Sequence, residues 1–115
     1  MSALEKKSFA APDETRTPPH ARMELVNLGG RMVAKMTYAP GWRWSVDAKP
    51  VIGGDSCQVT HFGYVLSGQI GARMNDGTEL TASPGDVFSI PAGHDGWTIG
   101  DEPCVMLDFG GALGK

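Results

Sequence analysis

Residues 64–93 read YVLSGQIGARMNDGTELTASPGDVFSIPAG. Short apolar runs alternate here with turn residues. Tyr64-Val65-Leu66 stops at Ser67-Gly68, and Asn75-Asp76-Gly77 divides Arg73-Met74 from Thr78-Glu79-Leu80. Pro84-Gly85 then opens a run that Pro91-Ala92-Gly93 closes. Asp-Gly between two such runs is a hairpin signal, because the tight turn needs positive φ at its central residues. The same alternation extends outward from Met23. Strands are predicted over 23–28, 31–38, 42–46, 57–66, 69–74, 78–82, 86–90, 96–100 and 103–109. No long stretch has helical periodicity. Many short strands with closely spaced turns predict an all-β sandwich or barrel. The 16 glycines suit its tight turns and corners.

The chain has 115 residues, which is one domain with room for a real core. Residues 1–22 are polar, hold Pro12, Pro18 and Pro19, and read as an irregular N-terminal arm before a barrel domain over 23–115. A net charge of −3 with scattered Lys and Arg gives no footprint for nucleic acid. No apolar run is long enough to span a membrane, and the N-terminus lacks a signal peptide's apolar stretch. A cytoplasmic protein is expected, with Cys57 and Cys104 as thiols.

The turn pattern is more specific than a general β-fold. Gly68 lies 16 residues before Pro84, and Gly85, Pro91 and Gly93 follow in fixed register. This spacing resembles the cupin family, a double-stranded β-helix or jelly-roll barrel, over roughly residues 40–109. The family's second motif is G-x5-P-x-G-x2-H-x3-N, which Gly85, Pro91 and Gly93 match. Its first is G-x5-H-x-H-x3-4-E-x6-G, whose last glycine is Gly68. In typical cupins two histidines and a glutamate of the first motif and the histidine of the second hold one metal. Those four positions are Asp55, Cys57, His61 and Gly96 here, and none keeps the family's usual residue.

The replacements are still chemically coherent. Cys57 and His61 are good metal ligands. His94 lies two residues before Gly96, so on a strand it faces the same side. On a straight strand Cys57 and His61 would lie about 13 Å apart at ~3.3 Å per residue. They can share a metal if the chain turns near Gln58-Val59-Thr60, as the resemblance implies. The expected metal site is Cys57, His61 and His94, with Asp55 as a candidate fourth ligand. One thiolate and two imidazoles suit Zn²⁺ or Fe²⁺ best, with Ni²⁺ or Cu²⁺ admissible. Buried cysteines are often inert, and Cys104 on the last strand is read as core.

Other residues bear on function. Asp95 could orient His94 or act as an acid–base group, and Tyr64 is a second acid–base candidate. Trp42, Trp44 and Trp97 could line an apolar small-molecule pocket, or pack in the core or at an interface. Arg43 could hold a carboxylate there. Two classes of function follow. One is a metal-dependent enzyme on a small organic substrate: a hydrolase, isomerase or dioxygenase. The other is a non-catalytic cupin that binds a small ligand or metal and reports it. The resemblance also implies a homodimer.

Overall fold

A computed structural model describes residues 4–110. Among the described residues, nine strands form two antiparallel sheets. They are β1 (Glu14–Arg16), β2 (Ala21–Leu28), β3 (Arg31–Tyr38), β4 (His61–Ser67), β5 (Gln69–Met74), β6 (Glu79–Ala82), β7 (Val87–Ile90), β8 (His94–Ile99) and β9 (Cys104–Asp108). The larger sheet runs β1-β2-β3-β9-β4-β7, and the smaller runs β6-β5-β8. Inward positions alternate along the strands: Ala34, Met36 and Tyr38 on β3, and Cys104, Met106 and Asp108 on β9, are buried. The core lies between the sheets, with Met36, Val65, Ile70, Phe88 and Met106 at its centre. Each such side chain contributes about 1.5–3 kcal/mol by leaving water. The architecture is the expected jelly roll.

Gly68 shows why the turn pattern carried the fold. Its φ is +72°, a region that side chains rarely adopt, and a Cβ there would sit 2.2 Å from the Pro103 carbonyl oxygen. Only glycine allows β4 to turn into β5 so close to β9. Gly85 and Gly93 also have positive φ.

The structure departs from the predicted strands most clearly at two places, while β8 starts two residues early, at His94. The stretch predicted as a strand over 42–46 is instead a π-helical turn, Trp44–Ala48, that runs into a helical turn, Lys49–Ile52. The Asp47 carboxylate accepts from the Arg43 backbone N–H at 3.0 Å and so closes the start of that turn. Trp42 and Trp44 are both buried, a spacing that a strand or a tight turn can produce equally well. The predicted strand over 57–66 begins at His61, because Cys57 makes only an isolated bridge to His94 and residues 58–60 are irregular.

The arm is more ordered than its composition suggests. Residues 14–16 pair with Met23–Leu25, and the next strand starts at Ala21 rather than Met23. Lys7 Nζ ties the arm down further, donating to the Asp13 carboxylate and to the Asn27 carbonyl. The ends of the predicted arm and barrel, residues 1–3 and 111–115, lie outside the described residues. No described helix is long and apolar enough to cross a membrane.

Candidate metal centre

Cys57, His61 and His94 come together through backbone pairing on two sides. Cys57 forms an isolated bridge with His94, the first residue of β8. Its N–H donates to the His94 carbonyl at 2.7 Å, and its own carbonyl accepts from Gly93 N at 2.7 Å. Residues 58–60 belong to no strand, and β4 begins at His61, which pairs with Ile90 of β7. The Cys57 sulfur and His61 Nε2 are 3.9 Å apart, so this segment is not the straight strand that would have kept the two residues apart. The thiol sulfur and one nitrogen of each imidazole lie within 4.8 Å of one another. The two rings meet edge to face, with centroids 5.1 Å apart.

Both imidazoles are oriented from behind. The Pro91 carbonyl lies 2.8 Å from His94 Nδ1 and can only accept, so Nδ1 carries the proton. When the ring is neutral, Nε2 is left as a lone-pair donor. His61 Nδ1 likewise donates to Asp108 at 2.6 Å, and its Nε2 faces the Cys57 sulfur at 3.9 Å. Asp108 is wholly buried and also accepts from the Gly110 N–H at 3.1 Å. Metal-ligating histidines are held in this way, by a carboxylate or carbonyl on the far ring nitrogen.

The electrostatics follow from these contacts. Burial pushes the Cys57 thiol up, but the His61 ring N–H, and after it the nearness of His94, outweigh it and bring it down to about 6. Burial depresses His61, but Asp108 and then Cys57 outweigh that and raise it to about 9. Without a cation the pair is therefore a thiolate against an imidazolium. A cation would displace the His61 Nε2 proton and take the thiolate and two neutral imidazoles. Cys104 behaves differently: burial alone pushes its thiol up to about 11, as suits an inert core residue.

The other predicted site residues lie elsewhere. Asp55 is exposed and stands outside the three-residue group. It follows two glycines with positive φ, in a loop that turns away before Cys57. Tyr64 alternates with Gly63 and Val65 on β4, which puts its ring on the outer face of the sheet. Asp95 lies on the outer face of β8, one residue out of phase with His94. There it accepts from Arg43 Nη1 at 3.0 Å and from the Ser45 N–H and hydroxyl, so it neither orients His94 nor faces the cluster. Trp97 shares that outer face, packed against Gly71 and covered by the Arg43 guanidinium at 4.6 Å. Arg43, Asp95 and Trp97 together clamp the π-helical turn to β8.

Trp42 and Trp44 do face the site. They line a cavity of about 290 Å³ that Cys57, His61 and His94 also line. Met23, Met36, Tyr38 and Val59 add apolar wall, and Arg16 and Pro18 of the arm also line it. Gly96, at the family's fourth ligand position, has Trp42 above it. The indole lies 3.6 Å from where a Cβ would be, so a methyl fits but an imidazole would meet the ring. Sequence reasoning missed Asp108. The available signal was its phase: Cys104, Met106 and Asp108 share the inward face of the last strand, and an acid there needs a buried partner.

Comparisons with known proteins agree with this architecture. The family profile described as "Cupin domain" matches residues 56–110. A comparison with curated protein sequences finds no match. Among solved structures, a protein of unknown function from Rhizobium leguminosarum is 23% identical, with a TM-score of 0.65 over 93% of this chain and 95% of that one. A sugar phosphate isomerase of the cupin superfamily from Silicibacter pomeroyi is 19% identical, with a TM-score of 0.54 over 77% of this chain and 57% of that one. A mutant oxalate decarboxylase from Bacillus subtilis is 21% identical, with a TM-score of 0.58 over 86% of this chain and 28% of that one. The cupin domain profile thus covers residues 56–110, and the described residues share the jelly-roll fold of these solved structures.

Proposed function

We propose that this cupin holds one divalent transition-metal ion on Cys57, His61 and His94 and acts through it on a small organic molecule in the adjoining cavity. One observation carries the reading: a thiol and two imidazoles converge, with both rings fixed from behind by Pro91 and Asp108. Three protein ligands leave a coordination position open to the cavity, as in catalytic rather than structural sites. The donor set suits Zn²⁺ or Fe²⁺, and also admits Ni²⁺ or Cu²⁺. Bound there, the ion would supply Lewis-acid polarisation or, as iron, dioxygen chemistry. The chain's own residues would bind and orient: the tryptophans form the wall, and His61 is fixed by Asp108. Hydrolysis, isomerisation and dioxygen insertion are the reaction classes this supports. Two solved relatives are named as an isomerase and a decarboxylase, which is consistent with an enzyme.

A specific placement favours a second reading. Asp95 and Tyr64 face outward, which leaves the cavity without the acid–base groups first assigned to it. A cupin that binds a ligand at its metal and reports it needs no such group. Titration of Zn²⁺ or Fe²⁺ into dialysed protein tests the common part of both readings. One equivalent is expected to bind, and none to His94→Ala. Turnover of a bound ligand by the loaded protein then separates enzyme from sensor.

A homodimer belongs to the same proposal. Phe62, Tyr64 and Leu66 of β4, with Val87 of β7 and Phe109, present an exposed apolar band on the outer face of the larger sheet. A second copy of the chain would cover it.

A further inference from the structure

The cavity beside the metal ligands is far more apolar than ligation requires. Its flat walls are Trp42 and Trp44, and Met23 and Met36 give it adaptable thioether surface. We propose that it takes an uncharged, largely apolar molecule with one neutral donor atom, such as a carbonyl oxygen, turned toward Cys57, His61 and His94. The body of this ligand is inferred from the walls; the direction of its head rests on the metal reading above.

Size sets the first limit. About 290 Å³ holds on the order of ten heavy atoms at ~30 Å³ each, one ring with a short substituent. Wall chemistry sets the second. A sugar of that size needs several hydrogen-bond partners, and leaving its hydroxyls unpaired costs about 1–3 kcal/mol for each. Beside Arg16, the wall offers at most two indole N–H donors and the Tyr38 hydroxyl, too few to pair them all.

Charge sets the third limit. A divalent ion, the Cys57 thiolate and the Asp108 carboxylate sum to zero. Arg16, the one Lys or Arg on the wall, already has its Nε 2.6 Å from the Glu14 carboxylate. An anionic ligand would therefore bring an unmatched charge into an apolar cavity, at a cost of several kcal/mol. A neutral donor fills the open position without that cost. Trp42 and Trp44 give a planar ligand favourable offset or edge-on contacts.

Isothermal titration on the full chain tests this, with metal content measured on the same sample. Acetophenone and benzoate differ little in size and differ in charge, and glucose 6-phosphate represents a polar, charged ligand. Acetophenone is expected to bind about ten-fold or more tightly than benzoate, and glucose 6-phosphate not to bind measurably. Gly96→Ala adds a methyl that meets only ordinary contacts, so the fold survives while the cavity shrinks. It should weaken acetophenone several-fold. The proposal is overturned if benzoate or the sugar phosphate binds as tightly as acetophenone, or if acetophenone does not bind at millimolar concentration. Failure of the metal reading is seen separately: protein that takes up no metal but still prefers acetophenone refutes the metal centre and leaves the ligand class standing.

Discussion

Asp108 is the residue on which the site turns. It is wholly buried, and it fixes the ring of His61 and leaves Nε2 directed at Cys57. Asp108→Asn keeps the shape but removes the charge and leaves the amide free to present the wrong group to Nδ1. Metal affinity should fall about 10–100-fold, the usual loss when such an outer carboxylate is removed. Competition with a chromophoric chelator would measure it, and unchanged affinity would mean His61 needs no orienting partner. Cys57, His61 and His94 were legible in the sequence because motif glycines anchor their positions. Asp108 was not. Its role depends on a contact between β9 and β4, where it lies beside Gly63 and diagonal to His61, and no local pattern records that register. Asp95 and Tyr64 lie on the outer faces of their strands for the related reason that one step along a strand moves a side chain to the other face.

Among the elements, the π-helical turn Trp44–Ala48 is the one the sequence hid. Trp42 and Trp44 alternate as strand residues would, and the hydrogen bond that selects the turn runs from the Arg43 backbone N–H to the Asp47 carboxylate. Asp47 also accepts from His20 Nδ1 at 2.7 Å, which fastens the turn to the end of the arm. Burial pushes the Asp47 carboxyl up, but these two bonds outweigh it and hold it below its ordinary value of 3.8. A carboxyl depressed in the folded state stabilises above its unfolded value. That contribution disappears as pH falls through the folded one. Asp47→Asn should therefore cost about 1–2 kcal/mol at neutral pH and progressively less toward pH 3. Urea midpoints at the two pH values would show it. A deficit that does not shrink in acid would refute the assigned role. The hairpins needed no such distant information: Asp76-Gly77 and the positive-φ glycines dictate them locally.

For the whole molecule, the jelly roll was readable because it is defined at its turns. The surface was not readable in the same way. Phe62, Tyr64 and Leu66 looked like an ordinary strand, and only the assembled sheet shows them side by side with Val87 and Phe109. The proposed dimer should run at twice the chain mass by light scattering at micromolar concentration. Phe62→Lys, at a position 52% exposed, should make it monomeric without unfolding it. A wild-type monomer would remove the second copy from the account. The central claim, one metal on Cys57, His61 and His94, is tested most directly by elemental analysis of protein purified without a metal-affinity tag. One equivalent of transition metal per chain is expected, lost in Cys57→Ala and in His61→Ala while the β-rich circular dichroism persists. Protein that is metal-free and takes up no added Zn²⁺ or Fe²⁺, or variants that keep a full equivalent, would contradict it.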